Sequence, residues 1–85
     1  MKLIMYSKPG CHLCEGLQEK LAQVRTVAIE LEIRDITTRD DWFSAFQYEI
    51  PVLFLENASA PLPRLSPRST PQQVESMLQK YLSNH

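Results

Sequence analysis

From Val27 to Arg34 the chain alternates without a break. Val27, Ile29, Leu31 and Ile33 are apolar, and Ala28, Glu30, Glu32 and Arg34 between them are small or charged. Side chains two apart share a face of a strand, so this stretch predicts a strand with one face for a core and one for water. What precedes it has the other period. Leu13, Leu17, Leu21 and Val24 recur at helical spacing, with Glu15, Gln18, Glu19, Lys20 and Gln23 on the remaining faces. Earlier still, the apolar run Leu3-Ile4-Met5-Tyr6 ends at the turn formers Pro9-Gly10 and suits a buried strand. Two strands joined through a helix are expected to lie parallel, with a right-handed crossover.

The second half continues the alternation of elements. Thr37-Thr38 followed by Asp40-Asp41 predicts a helix start, a hydroxyl cap and then acids favoured by the helix dipole. Trp42, Phe43, Ala45 and Phe46 supply that helix's apolar side, and the aromatics there, with Tyr48, are read as packing rather than as a base-stacking surface. Ile50-Pro51 leads into the apolar strand Val52-Leu53-Phe54-Leu55. Residues 56–60 read as a turn, and Leu62 to Leu65 as a partner strand kept at the sheet edge by Pro61 and Pro63. Thr70-Pro71-Gln72-Gln73 is a capping box with proline at the first helical position. Val74, Met77, Leu78, Tyr81 and Leu82 give the last helix its buried stripe. The expected architecture is α/β in the order β-α-β-α-β-β-α, a four-stranded mixed sheet flanked by helices, whose last two strands form an antiparallel hairpin.

Composition narrows the function. The 85 residues carry a formal net charge of −1, which lacks the basic face that phosphate neutralisation requires. No nucleic acid and no membrane is expected as a partner, since no apolar run approaches the ~18 residues of a span. No secretory leader is recognisable in the first residues, so a cytoplasmic location is expected. With 44% hydrophobic residues a core can form without disulfide staples, and no repeat or linker divides the chain. Asp35, Asp40 and Asp41 are assigned to strand-end and helix-start roles rather than to a metal. His85 is read as inert.

The two cysteines of the chain, Cys11 and Cys14, are separated only by His12 and Leu13. A bridge across so small a loop constrains little of the unfolded chain, so the pair points to chemistry. Cys11 falls where the first strand hands over to the first helix. Unpaired N–H groups and the helix dipole favour a thiolate there. A depressed pKa for an exposed Cys11 is the expectation, aided by Lys8 and His12 and opposed by Glu15. Cys14 joins the Leu17 and Leu21 stripe and is expected to be covered. Cys11 would attack a disulfide and Cys14 would resolve the mixed disulfide. The same spacing is half of a zinc site, but His12 and His85 are the only histidines. Metal: none is the expectation within one chain, and a zinc clip between subunits of a non-catalytic binding or redox-sensing module is the alternative.

The dithiol in a β-α-β frame, followed by Ile50-Pro51 before an apolar strand, resembles the thioredoxin superfamily. Tyr6-Ser7-Lys8-Pro9-Gly10-Cys11-His12-Leu13-Cys14-Glu15 resembles specifically the opening of a glutaredoxin or short glutaredoxin-like protein. The resemblance implies one glutaredoxin-like domain of thioredoxin-like fold over residues 1–85. It implies a thiol-disulfide oxidoreductase that reduces protein or glutathione mixed disulfides. Pro51 would be cis and face the dithiol, leaving the backbone of Ile50 to pair with an extended substrate. Lys8 matches a lysine that meets a glutathione carboxylate, so Lys8, Ile50 and Pro51 are the implied substrate-binding residues. His12-Leu13 replaces the usual Pro-Tyr, and no glycine follows Gly16 where a Gly-Gly pair would grip glutathione. The stretch from Arg64 to Thr70 stands in that place. It is read first as solvated arginines and a helix cap, with carboxylate binding through Arg68 as the other reading. No cofactor is expected to be bound, with glutathione as a candidate reductant or co-substrate, and the protein is expected to be a monomer.

Overall fold

A computed structural model describes residues 1–82, with Leu82 described by its backbone alone. The expected burial of Leu82 and the reading of His85 lie outside the described residues. The elements are strand β1 (Lys2–Ser7), helix α1 (His12–Ala22), strand β2 (Glu30–Asp35), a 3-10 turn (Ile36–Thr38), helix α2 (Asp40–Phe46), strand β3 (Val52–Leu55) and helix α3 (Pro71–Leu82). The strands form one sheet in the order β2-β1-β3. β1 and β2 are parallel, as the crossover predicts, and β1 and β3 are antiparallel.

β1 is the centre of the sheet and its run of apolar residues follows from that. Leu3 and Met5 are almost wholly buried, at 0% and 1% exposure. They share one face with Leu53 and Leu55, their partners in β3. The other face presents Tyr6 and Phe54, and α2 covers it: the Tyr6 ring lies 5.6 Å from Trp42 and 4.4 Å from Phe46. Helices α1 and α3 pack together and close the Leu3–Met5 face with Cys14, Leu21, Val74 and Leu78, all buried. Helices therefore lie on both faces of the sheet.

Several expectations are corrected. The sheet has three strands among the described residues, not four, so no terminal hairpin forms. Leu62 donates a single backbone bond to the Leu53 carbonyl, 2.8 Å, and the ladder goes no further. The next rung in that register would fall on Pro51, which has no N–H, and Pro61 and Pro63 are held near φ ≈ −65°, away from pleated geometry. The second strand begins at Glu30 rather than Val27, because the register pairs Glu30 with Lys2. Val27 is still buried, but Ile33, on the edge strand, is 45% exposed.

The second helix is not capped by Thr37-Thr38. Asp35 caps the 3-10 turn instead, its Oδ1 accepting from the Thr37 N–H at 2.9 Å and the Thr37 hydroxyl at 2.6 Å, and those two threonines are consumed within it. Of the aromatics read as packing, Trp42 and Phe46 pack, but Phe43 and Tyr48 are exposed at 40% and 89%. Their positions on a helix of seven residues and the turn after it face away from Tyr6. The capping box at α3 forms as expected: Gln73 N–H donates to Thr70 Oγ1 at 3.1 Å and Thr70 N–H to Gln73 Oε1 at 2.8 Å.

Candidate active site

The turn between β1 and α1 carries the cysteines. Gly10 has φ +80°, a left-handed conformation that L side chains resist, and it lets the chain reverse tightly after Pro9. Cys11 N–H then donates to the Lys8 carbonyl at 3.3 Å. Cys11 is the N-cap of α1 in extended conformation, and its Sγ accepts the backbone N–H of Cys14 at 3.2 Å. A sulfur at this position is met by an unsatisfied helical N–H, which favours negative charge on it. Cys11 and Cys14 are joined as a disulfide with Cα atoms 5.3 Å apart. Cys14 is 2% exposed while Cys11 is only partly buried. The helix places one sulfur beneath itself and the other at its rim.

Two hollows flank this turn. On one side a groove of about 270 Å³ is lined by His12 and Leu13, by Pro51 and Val52, and by the segment from Pro61 to Pro67. The Ile50-Pro51 peptide is cis. Pro51 thus shares a groove with the two residues that separate the cysteines. The Ile50 N–H donates to the Phe46 carbonyl at 3.1 Å, so strand pairing at Ile50 would fall to its carbonyl. On the other side a shallower hollow is lined by Lys8, Gly10, Cys11, Glu15, Ile33 and Asp35, among others. Lys8 is therefore beside Cys11 but does not share the groove of Pro51. The Asp35 carboxyl in that hollow is held below its ordinary range by the Thr37 hydroxyl and then its N–H, so it is ionised at neutral pH and offsets Lys8. His12 Nδ1 lies 3.4 Å from the Glu15 carboxylate at the exposed start of α1.

Sequence reasoning missed the far wall of the groove. Arg64 donates to the Glu49 carbonyl at 2.6 Å, and Lys20 crosses from α1 to the Pro67 carbonyl at 2.7 Å. The two cations pin the proline-rich segment to the cis-proline loop and to α1. Four prolines between 61 and 71 were the available signal, since such a segment stays extended without a ladder of its own. Leu13 was read as part of the buried stripe but is 50% exposed; it belongs to the groove. Among the described residues no group of three or more His, Cys, Asp or Glu is placed to hold a metal. No described helix is long and apolar enough to cross a membrane.

Several solved structures superpose on this chain. A protein from X. campestris, solved by X-ray as structural genomics target XcR50, superposes with a TM-score of 0.68 at 25% identity, over 92% of this chain and 96% of that one. Its solution structure gives a TM-score of 0.63 at 28% identity, covering 94% and 95%. Thioredoxin 1 from the thermophilic eubacterium Thermosipho africanus superposes with a TM-score of 0.64 over the full length of both chains, at 17% identity, which establishes the thioredoxin-like fold alone. No curated protein matches the chain by sequence. The profile of the glutaredoxin-like domain (DUF836) matches residues 2–79, from the first residue of β1 into the last turns of α3. With the Cys11–Cys14 pair at the head of α1 and a cis proline before β3, the chain belongs to the glutaredoxin-like domain family.

Proposed function

We propose that the protein is a thiol-disulfide oxidoreductase that cycles between the Cys11–Cys14 disulfide and the dithiol. The observation that carries this reading is the asymmetry of the pair, one sulfur at the helix N-cap and reachable, the other buried within the same turn. In the reducing direction the Cys11 thiolate attacks one sulfur of a substrate disulfide, and the other sulfur leaves as a thiolate that takes up a proton. The Cys14 thiol, giving up its proton, then attacks Cys11 Sγ and expels the second substrate thiol. Two electrons pass from the dithiol to the substrate disulfide. A dithiol or thiol reductant, glutathione among the candidates, returns the protein to its reduced form.

The substrates in this reading are disulfide-containing proteins or glutathione mixed disulfides, met by Lys8 on one side of Cys11 and by Pro51 and the Ile50 carbonyl on the other. The protein would act as a cytoplasmic monomer without a bound cofactor. An equilibrium titration in glutathione buffers, acid-quenched and read by intact mass, is the test. A loss of two hydrogens with a defined midpoint is expected, and no internal disulfide at any potential would end the mechanism. Cys11→Ser should abolish disulfide reduction, and Cys14→Ser should accumulate mixed disulfides. Full turnover of protein disulfides by Cys14→Ser would contradict the two-thiol scheme.

A further inference from the structure

The groove beside the disulfide is apolar in a way that selects its occupant. Its near wall is the first turns of α1, where Leu13 stands half exposed and Gly16 carries no side chain, with nothing within 4 Å of where a Cβ would sit. Pro51 and Val52 line its middle, and Leu62 and Leu65 its far wall. Leu13 thereby joins Pro51, Val52 and Leu65 in one contiguous apolar lining, the kind of surface that marks a contact site. The cations at the rim are directed to main chain: Arg64 to the Glu49 carbonyl and Lys20 to the Pro67 carbonyl. Both hold the wall in place, and Glu49 adds a negative group to the lining. A carboxylate would meet Lys20 and Arg64 only at the rim, where each already donates to a backbone carbonyl. An apolar side chain meets Leu13, Pro51 and Leu65.

The groove also lies to one side of Cys11, which lines the opposite hollow. A single ligand that puts a sulfur at Cys11 and an apolar group in the groove must reach past His12 and Leu13. A peptide does so with adjacent residues, at about 3.3 Å of rise per residue. Resting on the thiol-disulfide reading above, we propose that the preferred substrate is an extended protein segment whose cysteine has an aromatic or large aliphatic neighbour. That neighbour is seated in the groove, with Leu13 and Leu65 as the residues that select it.

The test uses the reduced wild-type protein and mixed disulfides of thionitrobenzoate, followed by stopped-flow release of the coloured thiolate. The probes are blocked tetrapeptides whose single cysteine is flanked by phenylalanine on one side or the other, or by glycine only, together with the glutathione derivative. One phenylalanine peptide is expected to react about tenfold faster than the glycine peptide and the glutathione derivative, the factor that partial burial of one aromatic ring supplies. Leu13→Asp and Leu65→Ser should each bring that ratio close to one. Phe43→Ser, an exposed aromatic that lines neither hollow, should leave the ratio as it is. Equal rates for all probes in the wild type, or a ratio lost equally in Phe43→Ser, would overturn the selection while leaving thiol exchange standing. No release from any probe would overturn the exchange chemistry and the selection with it.

Discussion

Cys11 and Cys14 are three residues apart and differ in almost everything that governs reactivity. Cys11 caps α1 and receives the Cys14 N–H, whereas Cys14 is 2% exposed in the core cluster. Once the disulfide is reduced, iodoacetamide should therefore label Cys11 ahead of Cys14 by about an order of magnitude or more, because access and thiolate character both favour it. Peptide mapping after brief labelling gives the ratio, and comparable labelling of both would remove the basis for assigning attack to Cys11. This asymmetry is legible in the residues themselves: a cysteine after Pro-Gly at a strand end, and another in phase with Leu17 and Leu21. The exposure of Leu13 is not, because the same helical phase includes it. It is the placement of the first turn of α1 beside the groove, past the cover of α3, that leaves Leu13 uncovered.

The elements divide into those with their own local signal and those that depend on a neighbour. The capping box of α3 is local and forms where the residues predict it. The Pro61–Leu65 segment shows the reverse, since its strand pattern needs a donor that Pro51 cannot provide. α3 is also tied at its other side, where Glu75 accepts the Arg25 and Thr26 N–H groups at 3.1 and 3.2 Å and Gln79 donates to the Thr26 hydroxyl at 2.6 Å. The Thr26 N–H, then its hydroxyl, then the Arg25 N–H hold the Glu75 carboxyl below its ordinary value of 4.5. A depressed carboxyl contributes stability that is fully present above the unfolded value and is lost as pH falls through the folded one. Glu75→Ala should thus lower the Tm by a constant amount above about pH 5.5, with the gap narrowing below pH 4.5. Melting curves across that range check it, and a gap that widens in acid would show that the carboxylate is not the source.

For the molecule as a whole, stability rests on one cluster in which the centre of the sheet is closed by helices from both sides. Leu78 is fully buried on the helix farthest along the chain from β1. Leu78→Ala should cost about 2–5 kcal/mol of unfolding free energy, the range for a large buried aliphatic cut to alanine. In a domain whose total stability is on the order of 5–15 kcal/mol this is a large fraction. Urea denaturation measures it, and a loss under about 1 kcal/mol would mean that α3 does not close the core. Hydrophobic periodicity, turn residues and caps are local properties, so the residues alone determined the order of elements apart from the fourth strand, the parallel first pair of strands, the position of the dithiol at a helix start and the capping of α3. The cis state before Pro51 was expected only through the family resemblance, because an isolated X-Pro bond prefers trans. Sheet width, the length of β2, the groove wall pinned by Arg64 and Lys20, and the exposure of Leu13 were decided by tertiary structure. Each depends on which distant group supplies a hydrogen-bond partner or a cover, and neither is encoded in the period of the segment itself.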